Sequence, residues 1–405
     1  MKPIVRAGRM KPVHSDIRGP LFVEAMKRQK QGIDILKLNT GNPATFGFGL
    51  PDSIKNALME HMQDGVGYCD FKGMPQARRA ICDYETSKGI KGITPDDVFI
   101  GNGVSEVVSF ALTPLLNDGD EVLVPSPSYS LWGNSVYLED GKPVFYTCDE
   151  QANWYPDIQD IRSKITDKTK AIVIINPNNP TGVLYPKELL LEIIQIARES
   201  GLLIFADEIY DRLVMDGKQH ISLASLTEDV PVITLNGLSK SHCLCGYRCG
   251  WMVISGPREL TEDYRQGIIQ LTSLRLCANT MAQIVIPAAL DDMETPASMV
   301  RPGGRIYEQR EATVRELEKI DGLSFVKNDA AFYVFPKLDV KKFNITNDKQ
   351  FAHDLLDATN ILLVPGSGFD WKDPDHFRIV MLPQADILSD AIRRMGTFLD
   401  GYKQK

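Results

Sequence analysis

Short apolar runs recur along the chain up to Lys240, and polar or glycine-rich residues follow each run at once. Runs that do not alternate between apolar and polar positions are typical of strands buried on both faces of a sheet. Five such runs span residues 98–100, 121–124, 171–175, 202–206 and 232–235. The polar or glycine-rich residues that follow them are, in the same order, 101–103, 125–129, 176–180, 207–208 and 236–240.

Helical patterns lie between several of these runs, as in residues 188–200, where Leu190, Ile193 and Ile194 recur at helical spacing. Strands that alternate with helices predict an α/β fold, with a large domain whose mostly parallel mixed sheet is flanked by helices. In such sheets ligands bind beyond the carboxyl ends of the strands. We therefore expect the polar residues after the five runs to converge on one site.

The pattern changes after about residue 290. Residues 301–304, Arg-Pro-Gly-Gly, interrupt the pattern, and a charged amphipathic helix is predicted next at 306–320. Short strands are then predicted at 331–335, 361–364 and 377–381. A chain of 405 residues exceeds what one ordinary hydrophobic core accommodates. The predicted division is a large domain at 51–290 and a smaller α+β domain at 291–405.

Composition narrows the functional classes. A net charge of −8 argues against general affinity for nucleic acid, because neutralising phosphates requires clustered Lys and Arg. No apolar run approaches the roughly 18–20 residues that span a bilayer, and the first residues lack the apolar stretch of a secretory signal. We therefore expect small-molecule partners, no nucleic-acid or membrane partner, and a cytoplasmic location.

Seven cysteines are scattered along the chain. An odd number does not suit a disulfide framework, and a chain of this size needs no such cross-links. Cys243 and Cys245, with Cys249 nearby, lack the paired spacing of a zinc site. We predict reduced thiols and no bound metal, and we assign these three cysteines no function.

Lys240 ends the last of the five segments, in residues 236–240, Asn-Gly-Leu-Ser-Lys. A lysine taken at random is a solvated surface residue. A lysine at the mouth of a parallel sheet is partly desolvated and can form an imine with a carbonyl ligand. Arg248 lies eight positions further on, and its guanidinium is suited to a phosphate on the same ligand.

Asp207 directly follows a buried run, where a carboxylate is costly without a partner. As a structural residue it would cap a helix or form a salt bridge. As a functional residue it would keep a pyridine nitrogen protonated, so that the ring withdraws electrons from the α-carbon of a substrate. Tyr210 and Asn179 carry groups that can bond to an oxygen on the same ring, although neither is specific by itself.

Residues 101–106, Gly-Asn-Gly-Val-Ser-Glu, lead into an apolar stretch that predicts a helix over 107–116. A glycine loop in this position places free amides at a helix N-terminus, where a phosphate can bind. The segment lacks the ending of a Walker A motif and the last glycine of a dinucleotide fingerprint. Taken alone, it is equally consistent with a capped turn. Tyr129, after the next run, can stack on a flat ring.

Together these residues resemble the class I, fold-type I pyridoxal phosphate aminotransferases. The match covers nearly the whole chain and rests on three motifs in the family's order and spacing: 176–182 (Asn-Pro-Asn-Asn-Pro-Thr-Gly), 206–210 (Ala-Asp-Glu-Ile-Tyr), and Ser239-Lys240 with 246–250 (Gly-Tyr-Arg-Cys-Gly). The resemblance implies pyridoxal 5'-phosphate as the cofactor, a homodimer, and an N-terminal segment, residues 1–50, that packs with the small domain.

The resemblance also implies a role for each matching residue. Lys240 would bear the cofactor as an imine and would be catalytic together with Asp207 and Tyr210. Asp207 would hold the ring nitrogen of the cofactor, and Asn179 and Tyr210 would hold its ring oxygen. Tyr129 would stack on the ring. The phosphate would be held by Gly103, Val104, Ser239 and Arg248, helped by the partner subunit's Tyr68. The position three before the lysine, often a hydroxyl residue in the family, is Gly237 here, and Ser239 is the expected replacement.

Substrate binding is carried over in the same way. Arg378 matches the arginine that binds the substrate carboxylate at two points and fixes the α-carbon over the cofactor. Without the match, a strand arginine paired at the surface would be the simpler interpretation. Gly41 matches a position whose backbone touches the substrate and where a side chain would block its approach. Asn179 is expected to contact the substrate as well.

Residues 15–20 (Ser-Asp-Ile-Arg-Gly-Pro) and 67–70 (Gly-Tyr-Cys-Asp) most resemble the alanine (glutamate–pyruvate) aminotransferases. The expected reaction transfers the amino group of L-alanine to 2-oxoglutarate, reversibly and with ping-pong kinetics. Arg18 would meet the distal carboxylate of glutamate; the alternative is a structural arginine near the chain terminus.

Other functions compete with this one. A different amino donor, or β-elimination of a sulfur amino acid by a C–S lyase, uses the same fold, and the alanine-type motifs favour transfer. A non-catalytic effector domain of a transcription regulator needs a basic DNA-binding segment, for which we see no room before the catalytic motifs. A nicotinamide dehydrogenase needs the missing dinucleotide fingerprint.

Overall fold

The computed structural model describes residues 2–405. The strands in chain order are β1 (Leu36–Lys37), β2 (Val98–Asn102), β3 (Glu121–Ser126), β4 (Lys142–Asp149), β5 (Tyr155–Pro156), β6 (Thr169–Ile175), β7 (Leu203–Asp207), β8 (Val232–Gly237), β9 (Cys249–Ser255), β10 (Leu323–Ser324), β11 (Tyr333–Val334), β12 (Lys337–Leu338), β13 (Ile361–Leu362), β14 (Val364–Pro365) and β15 (Phe377–Val380).

The helices in chain order are α1 (Pro20–Lys30), α2 (Asp52–His61), α3 (Pro75–Ser87), α4 (Val104–Leu112), α5 (Leu131–Leu138), α6 (Ile158–Lys164), α7 (Lys187–Ser200), α8 (Leu238–Ser241), α9 (Arg258–Arg275), α10 (Thr280–Ile284), α11 (Ile286–Asp291), α12 (Glu294–Val300), α13 (Arg305–Leu317), α14 (Val340–Phe343), α15 (Asp348–Thr359) and α16 (Ala385–Asp400).

An eight-stranded mixed sheet has the strand order β2-β9-β8-β7-β6-β3-β4-β5. The pairs from β8 through β7, β6 and β3 to β4 are parallel. The pairs of β9 with β2 and β8, and of β4 with β5, are antiparallel. The prediction of a mostly parallel mixed sheet in an α/β fold is confirmed.

Helices cover both faces of this sheet, as the unbroken apolar runs predict. In β6, Ile172 and Ile174 belong to the same buried cluster as Ile193 of α7. The alternate residues Val173 and Ile175 pack in a second cluster, which contains residues of α4. Because side chains of a strand point alternately to its two faces, a strand enclosed on both sides must be apolar at every position.

The predicted helix over 188–200 is confirmed as α7, whereas the helix predicted over 107–116 is displaced. Helix α4 begins at Val104 and ends at Leu112. Pro114 follows two residues later. A proline has no amide hydrogen to donate to the carbonyl four residues earlier, so the helix stops earlier than the apolar pattern alone indicates.

The C-terminal segments fold into short strands and helices around a separate core. The helix predicted at 306–320 is α13, and the strands predicted at 331–335, 361–364 and 377–381 correspond to β11, β13 with β14, and β15, each shorter than the apolar stretch. Residues of α13, α15, β13, β15 and α16 share one buried cluster.

The N-terminal segment packs against this C-terminal unit. Strand β1 pairs in parallel with β13, Leu38 joins the C-terminal core, and Ile35 packs with Leu356 and Leu362. We propose on these contacts that residues 1–50 and 291–405 form the small domain and residues 51–290 the large one.

Within residues 2–405 no single helix combines the length and apolar composition that a bilayer span requires. Only a sharply bent pair, Arg258–Arg275 with Thr280–Asp291, meets those requirements when its two parts are added across a bend of 119°.

Candidate active site

A cavity of about 800 Å³ lies beyond the carboxyl ends of β6, β7 and β8. Because these strands are parallel, the segments that leave them meet at one edge of the sheet. The residues predicted from the sequence that line this cavity are Gly41, Val104, Tyr129, Asn179, Asp207, Tyr210, Ser239, Lys240, Arg248, Arg378 and Arg18.

Lys240 lies on the short helix α8, directly after β8. Its Nζ donates a hydrogen bond of 2.9 Å to the carbonyl of Gly41. Burial acts to lower the pKa of Lys240, but the facing Tyr333 and Cys245 act to raise it, and the net direction is upward. The amine is therefore a cation at neutral pH that attracts an anionic ligand.

Gly237, where the family often has a hydroxyl residue, leaves no space for a side chain. Its backbone is extended, and a Cβ atom there would lie 2.5 Å from the carbonyl oxygen of Cys249 on the neighbouring strand. The close approach of β8 to β9 therefore requires glycine. Ser239, which does line the cavity, remains the candidate hydroxyl for a phosphate.

Asp207 ends β7 and is 5% exposed. It accepts a hydrogen bond of 3.2 Å from the indole Nε1 of Trp132 and one of 3.3 Å from the amide of Ile209. Burial raises the pKa of Asp207 to about 6, against the lowering effect of these two hydrogen bonds. The carboxyl is therefore ionised at neutral pH and is able to stabilise a protonated ring nitrogen.

Arg378 is a buried cation without an acidic partner. Its side chain is held by Asn179, whose Oδ1 accepts a hydrogen bond of 2.9 Å, and by the carbonyl of Asn39. The guanidinium lies 4.6 Å from each of the rings of Tyr333 and Phe369. Burial lowers the pKa of Arg378, and no carboxylate among residues 2–405 counteracts it. A buried, unpaired guanidinium that faces a cavity is suited to an anionic substrate.

The N-terminus of α4 and Arg248 form the candidate phosphate site. Gly103 precedes the helix with φ +85°, and a Cβ atom there would lie 2.2 Å from Nη2 of Arg248. Gly250 allows equally close packing, since its Cβ would lie 2.4 Å from the amide nitrogen of Val104. Free amides at a helix N-terminus beside a guanidinium are a favourable environment for a phosphate.

Two tyrosines of the predicted site lie in different settings. The side chain of Tyr129 is on the cavity wall, where its ring can stack on a planar ligand. Tyr68 is 84% exposed and does not line the cavity of its own chain. Its contact with a phosphate in a second subunit stays a prediction.

Three cavity or near-cavity residues were not identified from the sequence. Trp132 bonds to Asp207, the hydroxyl of Tyr333 lies 2.8 Å from that of Tyr210, and the Cys245 thiol lies 3.9 Å from Nζ of Lys240. Trp132 and Tyr333 occur in apolar stretches that predict packing alone, and no local pattern distinguishes them. All seven cysteines are free thiols.

The fold is α/β, and one cavity of it is lined by a lysine, an ionised aspartate and a buried arginine without an acidic partner. Residues 33–392 match the family described as aminotransferase class I and II. The chain is 50% identical, over 100% of both sequences, to the glutamate-pyruvate aminotransferase AlaA of Haemophilus influenzae.

Solved structures agree with this match. A crystal structure of an aminotransferase from Escherichia coli superposes with a TM-score of 0.98 at 47% identity, over 100% of both chains. An alanine aminotransferase from Pyrococcus furiosus superposes with a TM-score of 0.92 at 41% identity, over 98% of this chain and 100% of the other. The chain belongs to the class I and II aminotransferase family, and it is therefore a transaminase.

Proposed function

We propose that this chain is an alanine aminotransferase that transfers the amino group of L-alanine to 2-oxoglutarate and gives pyruvate and L-glutamate reversibly. The observation that carries the proposal is the placement of the Lys240 amine, the Asp207 carboxylate and the unpaired Arg378 guanidinium on one cavity. The name of the full-length relative from Haemophilus influenzae supports the choice of substrates.

The residues of the cavity fit pyridoxal 5'-phosphate as cofactor. Lys240 would hold its aldehyde and Asp207 its ring nitrogen. Asn179 and Tyr210 would hold its ring oxygen, Tyr129 would stack on its ring, and Gly103, Val104, Ser239 and Arg248 would hold its phosphate; the cavity that these residues line or border supports these roles. When bound, this cofactor accepts the amino group and withdraws electrons from the substrate's α-carbon.

The side chains of the chain supply binding and proton transfer. Arg378 would bind the α-carboxylate of the substrate, and the Gly41 backbone would lie against it. Lys240, once free as an amine, would remove the α-proton of the substrate and return it to the former aldehyde carbon of the cofactor. Asp207 would keep the ring nitrogen of the cofactor protonated. A positioned base contributes typically about 10²–10⁴-fold to a rate. Release of one oxo acid before the other binds gives ping-pong kinetics.

The test is substitution of the lysine. We expect Lys240→Ala to retain pyridoxal 5'-phosphate but to lose at least about 10²-fold in turnover, because the proton-transfer base is absent. Pyruvate formation from L-alanine and 2-oxoglutarate is measured alongside cofactor absorbance. Lys187→Ala, which removes an exposed lysine, should keep native activity. Near-native turnover of Lys240→Ala would refute the assignment of the lysine.

Substrate choice is tested with the unaltered enzyme. Beyond the one equivalent per active site that the first half-reaction releases, pyruvate should form from L-alanine only when 2-oxoglutarate is present, together with an equal amount of glutamate. Release of pyruvate and ammonia from a sulfur amino acid without an oxo-acid acceptor would instead identify a lyase.

We also propose that the enzyme is a homodimer. Apolar side chains near Tyr68 are exposed, among them Val66 at 76% and Leu276 at 53%. Exposed apolar surface of this kind is typical of an interface. A dimer would allow Tyr68 to reach the cofactor phosphate of the second subunit. Analytical ultracentrifugation gives the mass directly, and a monomer at assay concentration would contradict this proposal.

A further inference from the structure

A group of three buried carboxylates and one partly buried lysine lies beside the segments that carry Asp207, Tyr210 and Lys240. Lys88 directly follows the last residue of α3. Its Nζ lies 2.6 Å from Glu85, 2.8 Å from Glu208 and 3.2 Å from Asp211. The three carboxylate side chains are at most 3% exposed. We call Glu85, Lys88, Glu208 and Asp211 the Lys88 cluster.

The single ammonium holds the cluster together. Three carboxylates that share one cation in a buried place would repel one another without it, and each would lose a partner that offsets its desolvation. Neutral donors support the arrangement: the Tyr84 hydroxyl donates to Asp211 at 2.5 Å, and Trp251 Nε1 donates to Glu85 at 3.1 Å.

The cluster is joined directly to the turn that carries the catalytic carboxylate. Glu208 follows Asp207 in the chain, and it accepts hydrogen bonds from the Ser222 hydroxyl at 2.9 Å and the Leu223 amide at 3.0 Å. Asp211 follows Tyr210 in the same way. Because Lys88 bonds to both acids, it fixes both ends of the short segment that presents Asp207 and Tyr210.

A second connection leads to the lysine. Nδ2 of Asn236 donates to Asp211 at 2.7 Å, and Oδ1 of Asn236 accepts from the amide of Gly237 at 2.7 Å. Gly237 directly precedes the helix of Lys240. The position of that helix relative to Asp207 is therefore set through Asp211.

A third connection leads to the loop of Asn179. Nε2 of His220 lies 4.0 Å from Glu208 and 3.1 Å from the carbonyl of Asn176, which begins that loop. The segments that leave β7 and β8 are thus hydrogen-bonded to one group of charges, and His220 lies between that group and the segment that leaves β6.

We propose that Lys88 is a positioning residue for the aminotransferase reaction, because it fixes the relative placement of Asp207, Tyr210 and Lys240 without touching substrate or cofactor. This inference rests on the proposed function. It assigns a positioning role to the residue that directly follows α3 and lies outside the cavity.

Removal of the ammonium should disturb the cluster in a defined way. Burial already raises the pKa of Glu85 to about 6, although Lys88 acts to lower it. Without Lys88, its carboxylates would have to take up protons or move apart. The other charged or titratable groups that face them are Tyr84, Arg212 and His220, and burial lowers the pKa of His220, so it stays neutral.

The experiment compares Lys88→Met with the double variant Glu85→Gln/Lys88→Met, which removes one carboxylate together with the cation. Lys88→Met should lower kcat on the order of 10²-fold, as expected for misplaced catalytic groups. KM for L-alanine should stay within about twofold, since Arg378 is held by Asn179 and Asn39, neither of which is hydrogen-bonded to the cluster. The double variant should recover at least tenfold of the lost kcat.

Cofactor affinity provides a readout that does not depend on the substrate. Titration of each apoenzyme with pyridoxal 5'-phosphate should show weaker binding for Lys88→Met and recovery in the double variant. If the unaltered enzyme had no activity with L-alanine, only the proposed function would be refuted. The comparison of cofactor affinities would still test the role of Lys88. Lys91→Met, which removes an exposed lysine near the same helix end, should change neither quantity.

Two outcomes overturn the inference. The first is a folded Lys88→Met with native kcat and cofactor affinity. The second is a loss of thermal stability in which kcat per folded enzyme is unchanged. Should Lys88→Met fail to fold, Asn236→Ala keeps the four charged residues and removes the side chain that bonds to both Asp211 and Gly237; a native kcat for that variant overturns the inference as well.

Discussion

Arg378 shows how a buried charge can be kept ready for a ligand. Its guanidinium bonds to the Asn179 side chain and the Asn39 carbonyl and lies between two aromatic rings. These contacts orient the cation without neutralising it, whereas a carboxylate partner would compete with the substrate. A substrate carboxylate can therefore bind Arg378 without first displacing a carboxylate of the protein.

Arg18 is the residue that bears on the choice between substrates. It lies on the N-terminal segment at the cavity wall, and the neighbouring Ile17 carbonyl is fixed by a hydrogen bond of 2.8 Å from Asn39. We expect Arg18→Ala to lower kcat/KM for glutamate about tenfold more than for alanine, because a lost charged hydrogen bond costs about 1.5 kcal/mol and only glutamate has a second carboxylate.

Steady-state kinetics with each donor measures this difference. Arg9→Ala is the control, since Arg9 is an exposed arginine of the same segment that pairs with Asp140. An equal loss for both donors would show that Arg18 has a structural role.

At the scale of elements, the loop before α4 depends on the absence of a side chain. Gly103 has φ +85°, and its hydrogen faces Arg248. We expect Gly103→Ala to weaken the binding of pyridoxal 5'-phosphate by about tenfold or more, because the methyl group would displace the guanidinium of Arg248 and remove a charged contact. Titration of the apoenzyme with the cofactor measures the effect.

Gly217→Ala separates backbone strain from this displacement. Gly217 also has a positive φ, +70°, but no atom lies within 4 Å of the position of its Cβ. Both variants should lose about 1–3 kcal/mol of stability from the strained backbone, and only Gly103→Ala should lose cofactor affinity. Equal affinities would show that Arg248 does not hold the phosphate.

At the scale of the whole molecule, His14 joins the N-terminal segment to helix α5 and to the C-terminal part of the chain. The side chain of Asn134 on α5 bonds to the backbone N and O of His14, at 3.1 and 2.6 Å. The His14 ring lies 3.5 Å from Asp16 and 3.0 Å from Asp370. Asp16 in turn pairs with Lys349 of α15 at 3.1 Å.

These contacts give the N-terminal segment a pH dependence. Hydrogen bonds to Asp16 and Asp370 raise the pKa of His14 to about 9. Because the folded pKa lies above the unfolded value of about 6.5, the stabilisation is fully present below pH 6.5 and is lost as the pH rises through about 9. We expect the backbone amides of residues 12–19 to lose protection from hydrogen exchange over that interval.

Hydrogen exchange at several pH values, corrected for the intrinsic rate, measures this loss. His14→Gln should show low protection at every pH, whereas His61→Gln, at an exposed histidine, should keep the native profile. Protection of residues 12–19 that does not change between pH 6.5 and 9.5 in the native enzyme would contradict the assignment to His14.

The sequence by itself determined the strands of the central sheet and the residues at their carboxyl ends. A strand that is buried on both faces is recognisable from consecutive apolar residues. The apolar run before Asp207 therefore predicted both β7 and a functional carboxylate at its end. The motifs around Asn179, Lys240 and Arg248 were equally local, and the structure brings them together on one cavity.

Only the tertiary structure decided which distant side chains support these residues. Trp132 bonds to Asp207 across 75 positions, Lys88 to Glu208 across 120, and Tyr333 to Tyr210 across 123. Hydrophobic periodicity records which face of an element is buried, but not which element covers it. Such contacts arise when whole elements pack, so their hydrogen bonds and charges, the Lys88 cluster included, have no signature in the local sequence.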